Sequence, residues 1–174
     1  MLTRLVVTGH DSAGRSVFVQ DEKLKRIDRP GVGYSFRFWS ANEPALYPSA
    51  GKNPRAPEFF PPVGGVRFFT TTLTPQGGRP ASIQAEPAGS SGAMGTGLAV
   101  MERDAPGMHT SDSTDFALVI SGQVALELDD GAEVVLSAGD AVVQNGTRHR
   151  WRALGDEPAT LAFVLVGAHR AQSK

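Results

Sequence analysis

His109, Asp115 and His149 are the residues whose chemistry could be pooled. His109 and Asp115 are six positions apart, which on a straight strand places both side chains on one face. The turn-like run Thr110-Ser111-Asp112-Ser113-Thr114 between them works against that register. Two imidazoles and one carboxylate with open positions are a recognised arrangement for non-haem Fe(II), and would equally accept Zn, Mn, Ni or Co. An ion so held activates oxygen, polarises a carbonyl or lowers the pKa of a bound water. Arg148 and Arg150 flank His149 and are able to grip a carboxylate in bidentate fashion, or one of them is simply a surface charge. Trp39, Trp151 and the aromatic run Tyr34-Ser35-Phe36-Arg37-Phe38-Trp39 would line a pocket for a flat apolar ligand, or belong to the core.

The other two histidines carry less. His10 sits in the turn cluster His10-Asp11-Ser12-Ala13-Gly14, where a solvated or backbone-bonded ring is expected, and His169 falls in an exposed polar tail. The absence of cysteine excludes disulfides, thiolate metal sites and thiol nucleophiles. No nucleophile elbow accompanies a Ser-His-Asp set, and no Gly-rich phosphate loop precedes a helix.

The elements that must position these residues read as strands. Asp115-Phe116-Ala117-Leu118-Val119-Ile120 is stopped by Ser121-Gly122, and residues 123–128 by Asp129-Asp130-Gly131, a strong hairpin signal. Residues 98–102, 132–136, 140–144, 149–153 and 159–166 complete a regular series of short strands. Upstream, residues 4–8, 15–20, 34–39 and 65–73 are also strand candidates. Residues 43–62 are proline-rich and read as a loop, and residues 75–97, rich in Gly, Pro, Ser and Ala, as a loop or linker. No segment sustains a helical period. Gly 20 and Pro 12 exceed average usage and fall as turn punctuation. The expected fold is all-β, a sandwich or barrel.

Residues 107–151 resemble the two-motif signature of the cupin superfamily. The first motif is matched by Gly107-Met108-His109-Thr110-Ser111, then Asp115, then Gly122; the second by Gly139-Asp140-Ala141-Val142-Val143-Gln144-Asn145-Gly146-Thr147-Arg148-His149. The run from Gln144 to Trp151 and the opening Val6-Val7-Thr8-Gly9-His10-Asp11 are similar to a subgroup of small bacterial and fungal cupins. The chain departs from the pattern in three places. Ser111 stands where a second His is usual, Asp115 replaces Glu, and Asn145 replaces Pro with one residue fewer before His149.

The resemblance implies a jelly-roll β-barrel over residues 98–168, an irregular β-rich extension over residues 1–97 packing on it, and a polar tail over residues 169–174. Cupin topology would bring His149 opposite His109 and Asp115, making these three the implied ligands of a divalent ion (Fe, Zn, Mn or Ni). Ser111, Arg148, Trp151 and Trp39 are the implied substrate contacts. The implied function is a metal-dependent enzyme acting on a small organic molecule, of the oxygenase, decarboxylase, isomerase or dehydratase type. The alternative is a metal-free small-molecule binder, with His109 hydrogen-bonded to Asp115 and no ion present.

The 174 residues are 40% hydrophobic and 20% charged, with a formal net charge of -1, and the basic residues are scattered. Neither nucleic acid nor an anionic membrane is an expected partner. The first residues lack the apolar run of a signal peptide, and no stretch reaches membrane-helix length, so a cytoplasmic protein is expected. Phe116 to Ile120 and Leu161 to Val166 are apolar at nearly every position, which requires cover on both faces. A homodimer with amino-terminal strands paired across the interface would supply it.

Overall fold

The computed structural model describes residues 3–75, 101–102 and 104–171. The linker expected over residues 75–97 and the first half of the strand expected over 98–102 therefore lie outside the described residues, apart from Pro75, Met101 and Glu102. Eleven strands are described, and the one helical element is a single 3-10 turn, Asp129–Gly131. The chain is all-β, a jelly-roll barrel of antiparallel sheets.

The large sheet has six strands. In spatial order they are β3 (Ile27–Arg29), β4 (Gly33–Ala41), β5 (Val66–Leu73), β11 (Ala159–Gly167), β6 (Ser113–Ser121) and β9 (Ala141–Asn145). Facing it is a three-stranded sheet ordered β10 (Arg150–Leu154), β7 (Gln123–Glu127) and β8 (Glu133–Ser137). Two isolated bridges, Met101 to His109 and His109 to His149, continue that ladder past β10. β1 (Thr3–His10) and β2 (Ser16–Leu24) form a separate two-stranded ribbon. A ribbon of two strands is marginal alone. This one is fastened to the proline-rich loop where the His10 N–H donates to Ser49 O at 2.7 Å.

The amino-terminal half enters the large sheet directly. β5 pairs with β11 through eight register positions, Ala159 with Leu73 to Val166 with Val66, and β4 pairs with β5 in turn. The three residues of β3, Ile27-Asp28-Arg29, are too few for a period of two to be legible in the sequence.

Cross-strand register divides the large sheet into two faces. Leu161, Phe163 and Leu165 of β11 face inward together with Val119, Ala117 and Asp115 of β6. Buried Val119, Val124, Ala159 and Leu161 form a hydrophobic core cluster, packed on by Leu73, Leu136, Trp151, Ala153 and Phe163. β10 alternates as a half-buried strand should: Trp151 and Ala153 turn inward, while Arg150 pairs with Glu127, and Arg152 with Glu133, on the wet side.

Buried Arg67, 1% exposed, fastens the proline-rich loop to β5. It donates to the carbonyls of Ala41, Glu58, Phe60 and Val66 and to Asn42 Oδ1. At the end of β11 the loop crosses so closely that a Cβ on Gly167 would lie 1.8 Å from Pro62 O, so glycine is required there. These two residues fix where Phe59 and Phe60 sit.

Candidate functional site

His109 and His149 are brought side by side by the backbone. Each N–H donates to the other's carbonyl, at 3.0 and 2.9 Å, and the ring centroids are 4.3 Å apart. The two rings are held in the same way. Nδ1 of His109 lies 3.0 Å from Gly107 O, and Nδ1 of His149 lies 2.8 Å from Thr147 O. A carbonyl oxygen only accepts, so in both rings the proton is on Nδ1 and the lone pair on Nε2. Burial, then the neighbouring His149 and the Arg29 charge, push the His109 pKa down to about 4 against weaker opposing effects from Gly107 and Glu102. Burial likewise lowers that of His149, with Thr147 O and Asp115 pulling the other way. Near neutral pH both rings are neutral, each with one available lone pair.

Asp115 is 6% exposed on the inner face of β6. Ser113 Oγ donates to Oδ1 at 2.5 Å, Ser111 Oγ reaches Oδ2 at 3.4 Å, and the two hydroxyls are themselves 3.0 Å apart. Burial raises the Asp115 pKa; the serine hydroxyls and the nearby His149 resist that rise. The register expected from the six-residue spacing does not form. β6 begins only at Ser113, while His109 belongs to the ladder of the opposite sheet, so His109 and Asp115 occupy different walls of the barrel. Asp115 is felt electrostatically by His149, and among the described residues no group of three His, Asp or Glu side chains is placed to hold an ion. The donors at this point are two neutral imidazoles, with no third protein ligand beside them among the described residues.

Around the histidines runs a closed circuit of rings that the sequence reading did not anticipate. His149 meets Trp151 edge-on at 6.5 Å, Trp151 meets Phe163 at 5.9 Å, and Phe163 stacks on Phe69 at 5.3 Å. Phe69 contacts Phe59 at 5.3 Å, Phe59 contacts Phe60 at 4.9 Å, and Phe60 returns to His109 at 6.1 Å. The seven rings come from both sheets and from the proline-rich loop. Such a belt presents flat apolar walls with two polar nitrogens set into it. Phe59-Phe60, an aromatic pair between prolines, was the signal available in the sequence.

Trp151 is in the belt, and Ser111 is buried against Asp115. Arg148 is taken up by Glu102 in a bidentate contact, with 2.6 Å to each oxygen, and by Asp129 at 2.8 Å. Trp39 pairs in register with Phe68, on the face of the large sheet away from Phe69 and Phe163. His10 is backbone-bonded to Ser49, and His169 is exposed.

Residues 98–166 match the family model of the Cupin domain, Cupin_2. The chain therefore carries a cupin domain. It is 28% identical over 166 residues to the cupin-domain-containing oxidoreductase srdB of Neurospora crassa, an alignment that covers 92% of this chain and 71% of that protein. It is 36% identical over 62 residues to the cupin-domain-containing oxidoreductase fogC of Aspergillus ruber, covering 34% of this chain and 30% of that one. It is 44% identical over 45 residues to phomopsin biosynthesis cluster protein C' of Diaporthe leptostromiformis, covering 26% of this chain. That match spans only 24% of the phomopsin protein's length. Among solved structures, a putative ethanolamine utilization protein from Salmonella typhimurium aligns over 97% of this chain and 99% of its own at 9% identity, with a TM-score of 0.40. Protein NMB1881 from Neisseria meningitidis aligns over 59% of this chain and 74% of its own at 16% identity, with a TM-score of 0.38. Among the described residues no helix is long and apolar enough to cross a membrane.

Proposed function

We propose that the chain is a cupin enzyme acting on a small organic molecule, with a divalent ion held by His109 and His149 inside the aromatic belt. The observation that carries this reading is the matched pair of Nδ1–H contacts to carbonyl oxygens, which leaves one Nε2 lone pair on each of two adjacent neutral rings. Ligating histidines are oriented by such second hydrogen bonds. An ion there would supply Lewis-acid or redox chemistry to a substrate carbonyl or to oxygen.

The chain's own residues do the rest. Phe60, Phe69, Phe163 and Trp151 hold a flat ligand and keep water from it. Asp115, with a pKa raised by burial, is a carboxyl able to give or take a proton beside His149. Relatives named as oxidoreductases support a redox reaction over hydration or isomerisation.

A metal-free small-molecule binder is the second reading. It is favoured by the commitment of both Asp115 oxygens to serine hydroxyls and by Ser111 at the position of the second motif histidine. Elemental analysis of protein purified without chelator or metal-affinity column separates the two. Near-stoichiometric metal, lost in His149→Ala, supports the enzyme. Wild type that carries none and takes up none on titration leaves the binder.

A further inference from the structure

Among the described residues, Arg29 is a cation without a paired anion. It ends β3, and its guanidinium carbon lies 5.7 Å from the centroid of the Phe59 ring. The neighbouring Asp28 is taken by Arg26 at 2.8 Å. Arg148, Arg150 and Arg170 each have a carboxylate partner, whereas Arg29 has no ion pair or side-chain hydrogen bond among the described residues. No buried side-chain nitrogen there lacks a partner, so the Arg29 nitrogens open onto accessible space.

Register says which space. Ile27 pairs with Ser35, whose hydroxyl meets Thr71 in the buried interior at 3.2 Å. Arg29, two residues on, is on the same side of the strand. From Arg29 the contacts run through Phe59 and Phe60 to His109. Two electrostatic effects agree with that proximity: burial lowers the Arg29 pKa, and its charge adds to the depression of His109. A half-buried cation at the edge of an apolar belt favours a counter-charge, and no described side chain supplies one.

We propose that Arg29 holds the anionic group of the ligand, so that the site takes a flat aromatic or conjugated carboxylate with its ring against the Phe60–Phe69–Phe163 wall. This rests on the reading of the belt as a small-molecule site. It adds the charge of the ligand, and it gives the amino-terminal half a part in recognition. The guanidinium offers two parallel N–H donors to a carboxylate, and Phe59 beneath it keeps the fork oriented.

The test is titration of the full chain with benzoate and cinnamate, and with benzamide and cinnamamide as neutral isosteres, followed by calorimetry. Wild type should prefer each acid over its amide by about tenfold or more. Arg29→Met should erase that preference by weakening the acids alone, and Arg29→Lys should keep part of it. Phe163→Leu should weaken acids and amides together. Should Arg29→Met fail to fold, loss of the wild-type preference as salt is added reads the same charge contact.

Acids and amides binding equally, both weakened by Phe163→Leu, would overturn the role of Arg29 and leave the small-molecule site standing. Acid affinity indifferent to Phe163→Leu would put the anion outside the belt and overturn the proposal. Absence of binding by either series would overturn both.

Discussion

His109 and His149 exchange both backbone hydrogen bonds and hold their rings 4.3 Å apart with matching Nδ1 contacts to carbonyl oxygens. The rigidity of the pair is in the main chain, so either side chain can be removed without unseating the other.

His149→Ala should therefore leave the barrel folded. The loss of one buried ring and its Thr147 contact is expected to cost about 2 kcal/mol. That is a fall in Tm of roughly 4–8 °C for a chain of this size. Metal content should fall from near-stoichiometric to background, read by elemental analysis beside a circular dichroism melt.

The depressed histidine pKa values set a pH dependence. With the His109 pKa pushed down to about 4, the folded state binds fewer protons than the unfolded state below the ordinary histidine range. Stability attributable to the neutral ring is present above about pH 6.5 and is lost as the pH falls toward 4. The Tm should drop across that window, and His109→Gln should flatten the drop. A ligand held by His109 Nε2 should be released as the pH nears about 4, not near pH 6.5.

Asp115 works in the opposite sense. Its pKa is raised by burial, so the charged form weighs against folding at neutral pH and the handicap disappears on acidification. Asp115→Asn keeps an acceptor for Ser113 and removes the charge. Its Tm at pH 7 should equal or exceed that of wild type by a few degrees, while activity falls if the carboxyl moves a proton. A marked loss of stability would contradict the stated balance.

Arg67→Met should be the most damaging of these substitutions. It strands four carbonyls and the Asn42 amide oxygen now paired with one guanidinium. The expected cost is on the order of 3–5 kcal/mol, read as a Tm lower by about 10 °C. Partial release of the loop should also weaken any belt ligand through Phe59 and Phe60.

The outer face of the large sheet carries the assembly expectation. Phe116, Leu118, Ile120 and Val143 are 47%, 45%, 51% and 57% exposed, and Phe116 and Val143 are in register with each other. Val164 and Phe68 continue that row across β11 and β5. A homodimer covering this face is expected in sedimentation velocity at micromolar concentration. Phe116→Glu should shift it toward monomer.

Much of the barrel was legible in the residues themselves. The turns Ser121-Gly122, Asp129-Asp130-Gly131 and Ser137-Ala138-Gly139 punctuate apolar runs. Such local signals fix strand ends because glycine and aspartate favour conformations that strands reject. The types of the site residues were legible too, since few side chains other than His109, His149 and Asp115 suit that chemistry. Their arrangement was not. Spacing suggested that His109 and Asp115 share a face, yet a turn between them sends one to each sheet, and turn geometry is not written in a residue count. The aromatic belt and Arg29 lay beyond sequence for the same reason. The pair Phe59 and Phe69 is some eighty residues or more from Trp151 and Phe163 in the chain, and only long-range strand register and the loop clasped by Arg67 make them neighbours.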